Sequence, residues 1–415
     1  HRAWYRRLAL DAEAGWISPA QPGWIARLER EHPNLREALE SALAEDTEEA
    51  ADAGLDTASA LWQFWMFRGF YGEGRSWIER VLAHPCALSI SGRVKALRVA
   101  IALAAAQGDF RSAATWLQEG RVLAEREPTP MSQAQMNHAA AGLALFSGDP
   151  ARAAPLLESA IEVYSSNVTG HLHIHAATLL GLTYEMRGET EKAIEHQQRL
   201  IAITEGCGGI LYRALALRSL GVAEWRRGNI ARAEELIEEA LRIDRPLDSH
   251  LVVTFCLEAL SWVACYRREA QRAAVLMGAA RHLWPAGGSR GRVFDTLSHF
   301  HEECERAARE VLGDAGFDAA FARGNRMSAA AARTYALREQ PTGATAGPDA
   351  KTPLTKRERE VAALVARGLS NRQIATELVV SPRTAQGHVE NILAKLGFTS
   401  RAQIAAWVAD SGSQD

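Results

Sequence analysis

The chain is poor in cysteine, has no long apolar run and carries no phosphate-binding loop, and each shortage closes a class of function. Five cysteines, Cys86, Cys207, Cys256, Cys265 and Cys304, are scattered over 415 residues, with no two closer than nine positions. No disulfide framework and no Cys-x-x-Cys zinc pair can be written from them, so free thiols in a reducing compartment, the cytoplasm, are expected. The longest apolar run, Val99 to Ala106, is eight residues, against roughly 18 for a membrane span. No membrane partner is therefore expected. No signal-peptide pattern opens the chain. It begins at His1 rather than at methionine, which leads to the expectation of a fragment or a processed product. The nearest thing to a Walker A loop, Gly347 to Thr352, contains Pro348, lacks adjacent Gly and Lys, and precedes no suitable strand–helix unit. No Ser/His/Asp, Cys/His or paired-carboxylate arrangement stands out either. Neither catalysis nor a cofactor is expected, and the isolated chain is expected to turn over no ATP.

What remains is an ordinary globular composition, 47% apolar and 23% charged, with length for about two to four domains. The net charge of −3 hides an asymmetry, because residues 351–415 hold nine Lys or Arg against six Asp or Glu. A basic end on an acidic body fits a nucleic-acid-binding module joined to something that does not bind nucleic acid.

A repeat dominates the body. Gly108, Gly148, Gly188 and Gly228 recur every forty residues. Each is followed by a polar residue (Asp109, Asp149, Glu189, Asn229) and, five positions on, by alanine (Ala113, Ala153, Ala193, Ala233). A fifth unit keeps the phase with Arg268, Glu269 and Ala273 but has lost its glycine. Apolar residues at helical spacing flank each glycine, as in Leu179, Leu180, Leu182 and Tyr184 before Gly188 and Ile194, Leu200 and Ile201 after it. Glycine then reads as the left-handed residue that stops one helix. Alanine reads as the point where two helices approach too closely for more. Each unit is a helix–turn–helix pair, and stacked pairs make an α-solenoid.

Residues 1–88 also read as helical. The stripe Leu61, Trp62, Trp65, Met66 and the helix from Arg75 to Leu82 suggest an irregular first repeat. The repeats run over 89–285, terminal helices over 286–338, and a Gly/Pro/Thr/Ala-rich flexible linker over 339–353. His171, His173 and His175 place two imidazoles on one helix face, a spacing able to bind metal. With no companion carboxylate or thiol, a plain surface or inter-repeat reading is preferred, and no metal is expected. Trp62, Trp65, Trp116, Trp225 and Trp262 read as packing between helices, with the inner face of the array left open as a place for partners or effectors.

The last segment, 354–410, spells out four short helices through caps alone. Thr355–Glu358, Ser370–Gln373 and Ser400–Gln403 are capping boxes, and Ser381 is an N-cap with Pro382 at the first helical position. Gly368 and Gly397 fall where the first and third helices must stop. Val361, Leu364, Ile374, Leu378, Ala385, Val389, Ile392, Leu396, Ile404 and Trp407 can close one small core. Only Val379 and Val380 separate the second helix from the Ser381 cap, the short connection of a DNA-binding helix-turn-helix. The third helix, Pro382 to Leu396, is about 22 Å long and fits a major groove about 12 Å wide.

On these residues the segment resembles the LuxR-type (NarL/FixJ-type) helix-turn-helix over its full length. The marks are Leu354-Thr355, Arg357-Glu358, Glu360-Val361, Gly368, Ser370-Asn371, Ile374-Ala375, Leu378, Ser381, Thr384, His388-Val389, Asn391-Ile392, Lys395-Leu396 and Ser400-Arg401. The resemblance implies double-stranded DNA as partner and a homodimer on roughly palindromic sites, formed through the last helix, Ser400 to Asp410. It places base-reading positions at Arg383, Gln386, Gly387, Glu390 and Asn391. Phosphate contacts fall at Arg372, Ser381, Thr384, His388, Lys395 and Arg401. In chemistry, Arg383 suits guanine, Gln386 adenine and Glu390 the N4 amino group of cytosine. Some family members carry lysine at the positions of Gln386 and Glu390, so their base preferences do not carry over.

The repeat units resemble tetratricopeptide repeats, on Gly181, Tyr184, Gly188, Ala193 and Leu200 in the third unit and Gly221, Gly228, Ala233 and Ala240 in the fourth. Their period exceeds the usual 34, and a generic array of helix pairs has the same architecture. More loosely, residues 32–39, 67–82 and 329–337 look like the region that follows the ATPase in large LuxR-type regulators of the AfsR/MalT kind, which implies that any nucleotide switch lies outside this chain. The expectation is an all-α protein: a tetratricopeptide-like solenoid, a linker and a four-helix DNA-binding end, acting as a bacterial-type transcription regulator with an unidentified effector or partner on the repeats. The alternative left open is an interaction scaffold whose terminal helices only dock.

Overall fold

In the computed structural model the described residues are 1–86, 89–284, 295–339, 354–367, 369, 371–378, 386–389, 392, 404 and 408. They form helices and connections, with no strand among them. Two compact units result, His1–Glu339 and Gln340–Asp415.

The first unit is a tetratricopeptide-like solenoid. After α1 (Arg2–Ala14), α2 (Gln21–Leu43), α3 (Glu48–Ala60), α4 (Trp62–Phe67) and α5 (Tyr71–Leu82) come five helix pairs. They are α6 and α7 (Ile90–Gln107, Phe110–Arg126), α8 and α9 (Pro130–Phe146, Pro150–Tyr164), and α10 and α11 (His171–Arg187, Thr190–Cys207). The last two are α12 and α13 (Ile210–Arg226, Ile230–Ile243) and α14 and α15 (His250–Tyr266, Ala270–Leu283). The unit ends with α16 (Asp295–Asn325), kinked at Gly313, and α17 (Ala329–Ala336).

Each repeat turn is built the same way. Gly108, Gly148, Gly188 and Gly228 take φ of 79°, 83°, 73° and 86°, the left-handed region open to glycine. That turn returns the chain so that the following N–H reaches back to the last turn of the helix. Asp109 N–H donates to the Ala104 carbonyl at 2.9 Å, Asp149 to Ala144 at 2.8 Å, Glu189 to Tyr184 at 3.0 Å and Asn229 to Glu224 at 2.9 Å. The fifth unit repeats the geometry without glycine: Arg268 stands at φ 60°, and Glu269 N–H reaches Ala264 at 2.9 Å. The alanines five residues on, from Ala113 to Ala273, are all buried, where the second helix of each pair crosses the first.

Arg268 therefore carries strain that its four counterparts avoid. A side chain in the left-handed region costs about 1–2 kcal/mol, and glycine returns about 0.4–1 kcal/mol through a looser unfolded chain. Arg268→Gly is expected to raise stability by up to about 1 kcal/mol, read as a higher thermal midpoint, and Arg268→Val to lower it. A destabilised glycine variant would show that the turn is not strained.

Asp109 closes the first turn and starts the next helix. Its carboxylate accepts from Ser112 N–H at 3.1 Å and from the Ser112 hydroxyl at 2.7 Å, and pairs with Arg75 at 2.8 Å. The Ser112 hydroxyl, the Ser112 amide and the Arg75 guanidinium hold its pKa down at about 2. A carboxyl depressed in the folded state contributes stability above its unfolded pKa of 3.8 and loses it as pH falls through 2. Asp109→Asn keeps an acceptor for the cap without the charge. It is expected to flatten the acid side of the stability curve between about pH 4 and 2, and an unchanged slope would contradict the linkage.

At the other end α15 and α16 cross in close contact. A Cβ built on Gly278 would lie 2.0 Å from the Phe321 carbonyl oxygen, and one on Gly324 1.9 Å from that of Val275. The two glycines let the backbones touch.

The N-terminal helices do more than begin the stack. Behind α5, which packs on α6, the neighbouring helix is α3, while the Leu61–Met66 stripe forms the short α4 and turns inward. Trp62, Phe64, Trp65 and Phe67 are all buried, and a helix with large apolar side chains around most of its circumference belongs in an interior. It lies against the first helices of the pairs. Gln63 Nε2 donates to Tyr212 Oη on α12 at 2.7 Å, and Trp62 stacks edge-on to His175 of α10 at 4.9 Å. The connection before α2 reaches the same row, where Leu211 N–H donates to Gln21 Oε1 at 3.0 Å and Pro19 closes on Gly208. Lys95 of α6 donates to Glu13 of α1 at 2.7 Å. The end of α1, the connection before α2 and the helix α4 thus reach the first helices of the pairs between α6 and α12.

Candidate nucleic-acid interface

The described part of the second unit opens on a capping box that starts a helix. Thr355 Oγ1 accepts from Glu358 N–H at 3.2 Å, and Glu358 Oε2 accepts from Thr355 N–H at 2.7 Å, so two otherwise orphaned donors of α18 (Lys356–Ala366) are satisfied. At the other end of α18, Leu369 N–H donates to the Leu364 carbonyl at 3.2 Å, closing the helix across position 368. Helix α19 (Asn371–Leu378) follows. Arg357 braces it to α18: its guanidinium pairs with Glu360 at 2.9 Å and donates to the Leu378 carbonyl at 2.7 Å. That carbonyl is one of the acceptors that the end of α19 leaves without an intrahelical partner, and the connection to the recognition helix starts there.

Leu354, Val361, Ala362, Leu364, Val365, Ile374, Ala375, Val389, Ile392 and Ile404 form one buried cluster, with Leu369, Leu378 and Val408 against it. Of the expected core, Ala385, Leu396 and Trp407 lie outside the described residues. Residues 386–389 are helical. Val389 and Ile392 turn into the cluster, while Gln386 is exposed and Gly387 and His388 are half-exposed. A Cβ added at Gly387 would meet no atom within 4 Å, so open space stands in front of it. The helix thus offers Gln386 and its successor to solvent while its apolar side holds it in place.

Of the eleven residues expected to touch DNA, Gln386, Gly387 and His388 are placed on this helix. Arg372 lies within α19. Arg383, Glu390, Asn391, Ser381, Thr384, Lys395 and Arg401 lie outside the described residues, as do the caps at Ser370, Ser381 and Ser400 and the stops at Gly368 and Gly397.

Residues 352–408 match the family model described as bacterial regulatory proteins, luxR family. This end of the chain is a LuxR-type helix-turn-helix domain. A putative HTH-type transcriptional regulator of Mycobacterium tuberculosis is 42% identical over 113 residues, which is 26% of this chain and 12% of that protein. The transcriptional regulatory protein UhpA of Escherichia coli is 43% identical over 58 residues, 14% of this chain and 30% of UhpA. The chain therefore aligns with only a small part of the length of these relatives. Among solved structures, NprR in complex with its cognate peptide NprX is similar over 77% of this chain and 88% of that one, with 13% identity and a TM-score of 0.48. The match is confined to this terminal domain, residues 352–408.

Of the two places left open for the histidines of the repeat region, His171 and His175 take the one between repeats. His175 Nδ1 is hydrogen-bonded to His138 Nε2 at 2.8 Å. Burial, with the charge of Arg98 beside it, holds His171 and His175 down at about 3. They are neutral inner-face residues between repeats. Among the described residues no group of three or more His, Cys, Asp or Glu side chains is placed to hold a metal. The polar cluster that sequence reasoning missed is centred on Arg98, which interrupts an apolar run between Leu97 and Val99.

Proposed function

We propose that this chain is a sequence-specific transcription regulator in which the LuxR-type end reads the major groove and the solenoid receives the signal. The observation that carries the reading is a braced helix-turn-helix whose helix buries Val389 and Ile392 and presents Gln386 and Gly387 outward. Arg383, Gln386, Glu390 and Asn391 face base edges and Gly387 allows close approach. Arg372, Ser381, Thr384, His388, Lys395 and Arg401 hold phosphates and set register without reading sequence. Two copies meet through Ser400–Asp410 on a site with two-fold symmetry. The linker at 339–353 transmits the state of the repeats to that pairing.

The test is to sequence the genomic fragments retained by the purified chain. A short, roughly palindromic motif is expected, with retention falling steeply as salt rises because phosphate contacts release counterions. Retention that is neither selective nor salt-dependent would leave the terminal helices as a docking module on an interaction scaffold.

A further inference from the structure

The inner face of the solenoid holds a buried cation without a counter-ion. Arg98 of α6 is 3% exposed, and no carboxylate among the described residues pairs with it. Its Nε has no hydrogen-bond partner, and its guanidinium lies 4.8 Å over the Trp62 ring. The nearest acid, Glu13, is engaged by Lys95 at 2.7 Å. Guanidinium does not shed its charge in proteins, and a charge left in a dry site without a partner costs several kcal/mol. The Trp62 ring face offsets only a part of that cost. His138 Nδ1 is also buried without a partner. His138 and His175 are neutral through burial and add no compensating charge.

These groups converge on a cavity of about 150 Å³ between α4 and the first helices of successive repeats. Arg98, His138, His175 and Tyr212 line one side of it, and Phe67, Phe146, Leu179 and Leu215 provide an apolar wall. A space of this size takes a body of about one aromatic ring. Arg218 also lines the cavity but is already paired with Glu185; the uncompensated Arg98, one free imidazole nitrogen and an apolar wall are the recognition set of an anion carried on a small hydrophobic group.

We propose that this cavity binds a small organic monoanion, a carboxylate on an apolar body of about one ring, with the carboxylate on Arg98 and His138. The purpose assigned to it, signal input, rests on the regulator reading above; the binding itself does not. Because α4 forms part of the wall, the ligand bridges the N-terminal helices and the repeats and fixes their packing.

The experiment titrates the full chain with benzoate, phenylacetate and hexanoate, and with the neutral benzamide, phenylacetamide and hexanamide, by calorimetry and thermal shift, without DNA. At least one carboxylate is expected to bind with sub-millimolar affinity and raise the melting temperature, and its amide at least tenfold more weakly. Arg98→Met removes the isolated charge. It is expected to melt no lower than the parent when unliganded and to lose carboxylate binding at least tenfold. Leu179→Trp fills the cavity and is expected to lose binding with Arg98 intact, which guards against misfolding of one variant. Amides that bind as well as acids, an Arg98→Met chain that still binds the acid, or no binding by any acid in the panel each overturns the proposal. DNA retention measured separately keeps a failure here distinct from a failure of the regulator reading.

Discussion

Alanine at both Arg383 and Gln386 is expected to lower affinity for the best retained DNA site about thirtyfold or more, while weak binding to unrelated DNA changes little. A bidentate hydrogen-bond pair from arginine to guanine, or from an amide side chain to adenine, is worth about 1–3 kcal/mol of discrimination. Removing two such pairs together costs at least about 2 kcal/mol, and about 1.4 kcal/mol is tenfold. Gln386 is exposed on a helix that Val389 and Ile392 anchor in the buried cluster, and a thermal melt of the double variant beside the parent separates lost reading from lost folding. Arg372→Ala and Lys395→Ala are expected to behave differently. On the proposed phosphate roles, each is expected to weaken all sequences alike and to reduce the slope of log affinity against log salt by about 1. Fluorescence anisotropy on one selected and one scrambled duplex, at three salt concentrations, separates the two kinds of residue. If the double variant held the selected duplex as tightly as the parent, the third helix would not be the reader.

How much of this could be read from the residues depended on whether the cause was local. The turn glycines and the alanines five positions later are local: a left-handed backbone and a close crossing each leave a mark at a fixed place, and the structure has both in all five units. Arg268 shows that the pattern was structural rather than compositional, since it keeps the turn geometry without the residue type. The Thr355–Glu358 box was legible for the same reason, because a four-residue stretch determines it. The inner face was not. That α4 would leave the stack and press on α10 and α12 depends on pairings more than a hundred residues apart, such as Gln63 with Tyr212. The one available signal was a charge inside an apolar helix run, Arg98 among Leu97, Val99 and Ile101 and Arg218 between Leu217 and Leu220. For the histidine triplet the sequence left a surface and an inter-repeat place open, and His175 takes the second. Its partner is in the neighbouring repeat, His138 on α8, while His171 faces Glu13 of α1, and no spacing within the triplet reveals either.

Arg218 supplies the other large expected effect, and it is the opposite case to Arg98. Its Nη1 donates to both oxygens of Glu185, at 2.7 and 2.8 Å, and the side chains are only 2% and 1% exposed. The pair ties α10 to α12, and the guanidinium also lies 5.5 Å over Phe255 of α14, so three successive repeats meet at one ion pair. Glu185→Ala strands a buried cation and is expected to cost about 3–5 kcal/mol, a fall in melting temperature on the order of 10 °C. The pair itself is not expected to be strongly stabilising, because Arg218 Nε and Nη2 remain without hydrogen bonds. Replacing both partners, Glu185→Leu with Arg218→Met, is therefore expected to recover most or all of the loss. A double-mutant cycle by urea denaturation reads the difference. Should the apolar pair melt as low as the single variant, the ion pair would be a true source of stability. Should it melt near the parent, the charges serve to fix how adjacent repeats register, and the stiffness of α10, α12 and α14 as one body follows from the cost of misplacing either charge. In a stack where each repeat touches mainly its neighbours, such a pin ties three consecutive repeats at one point.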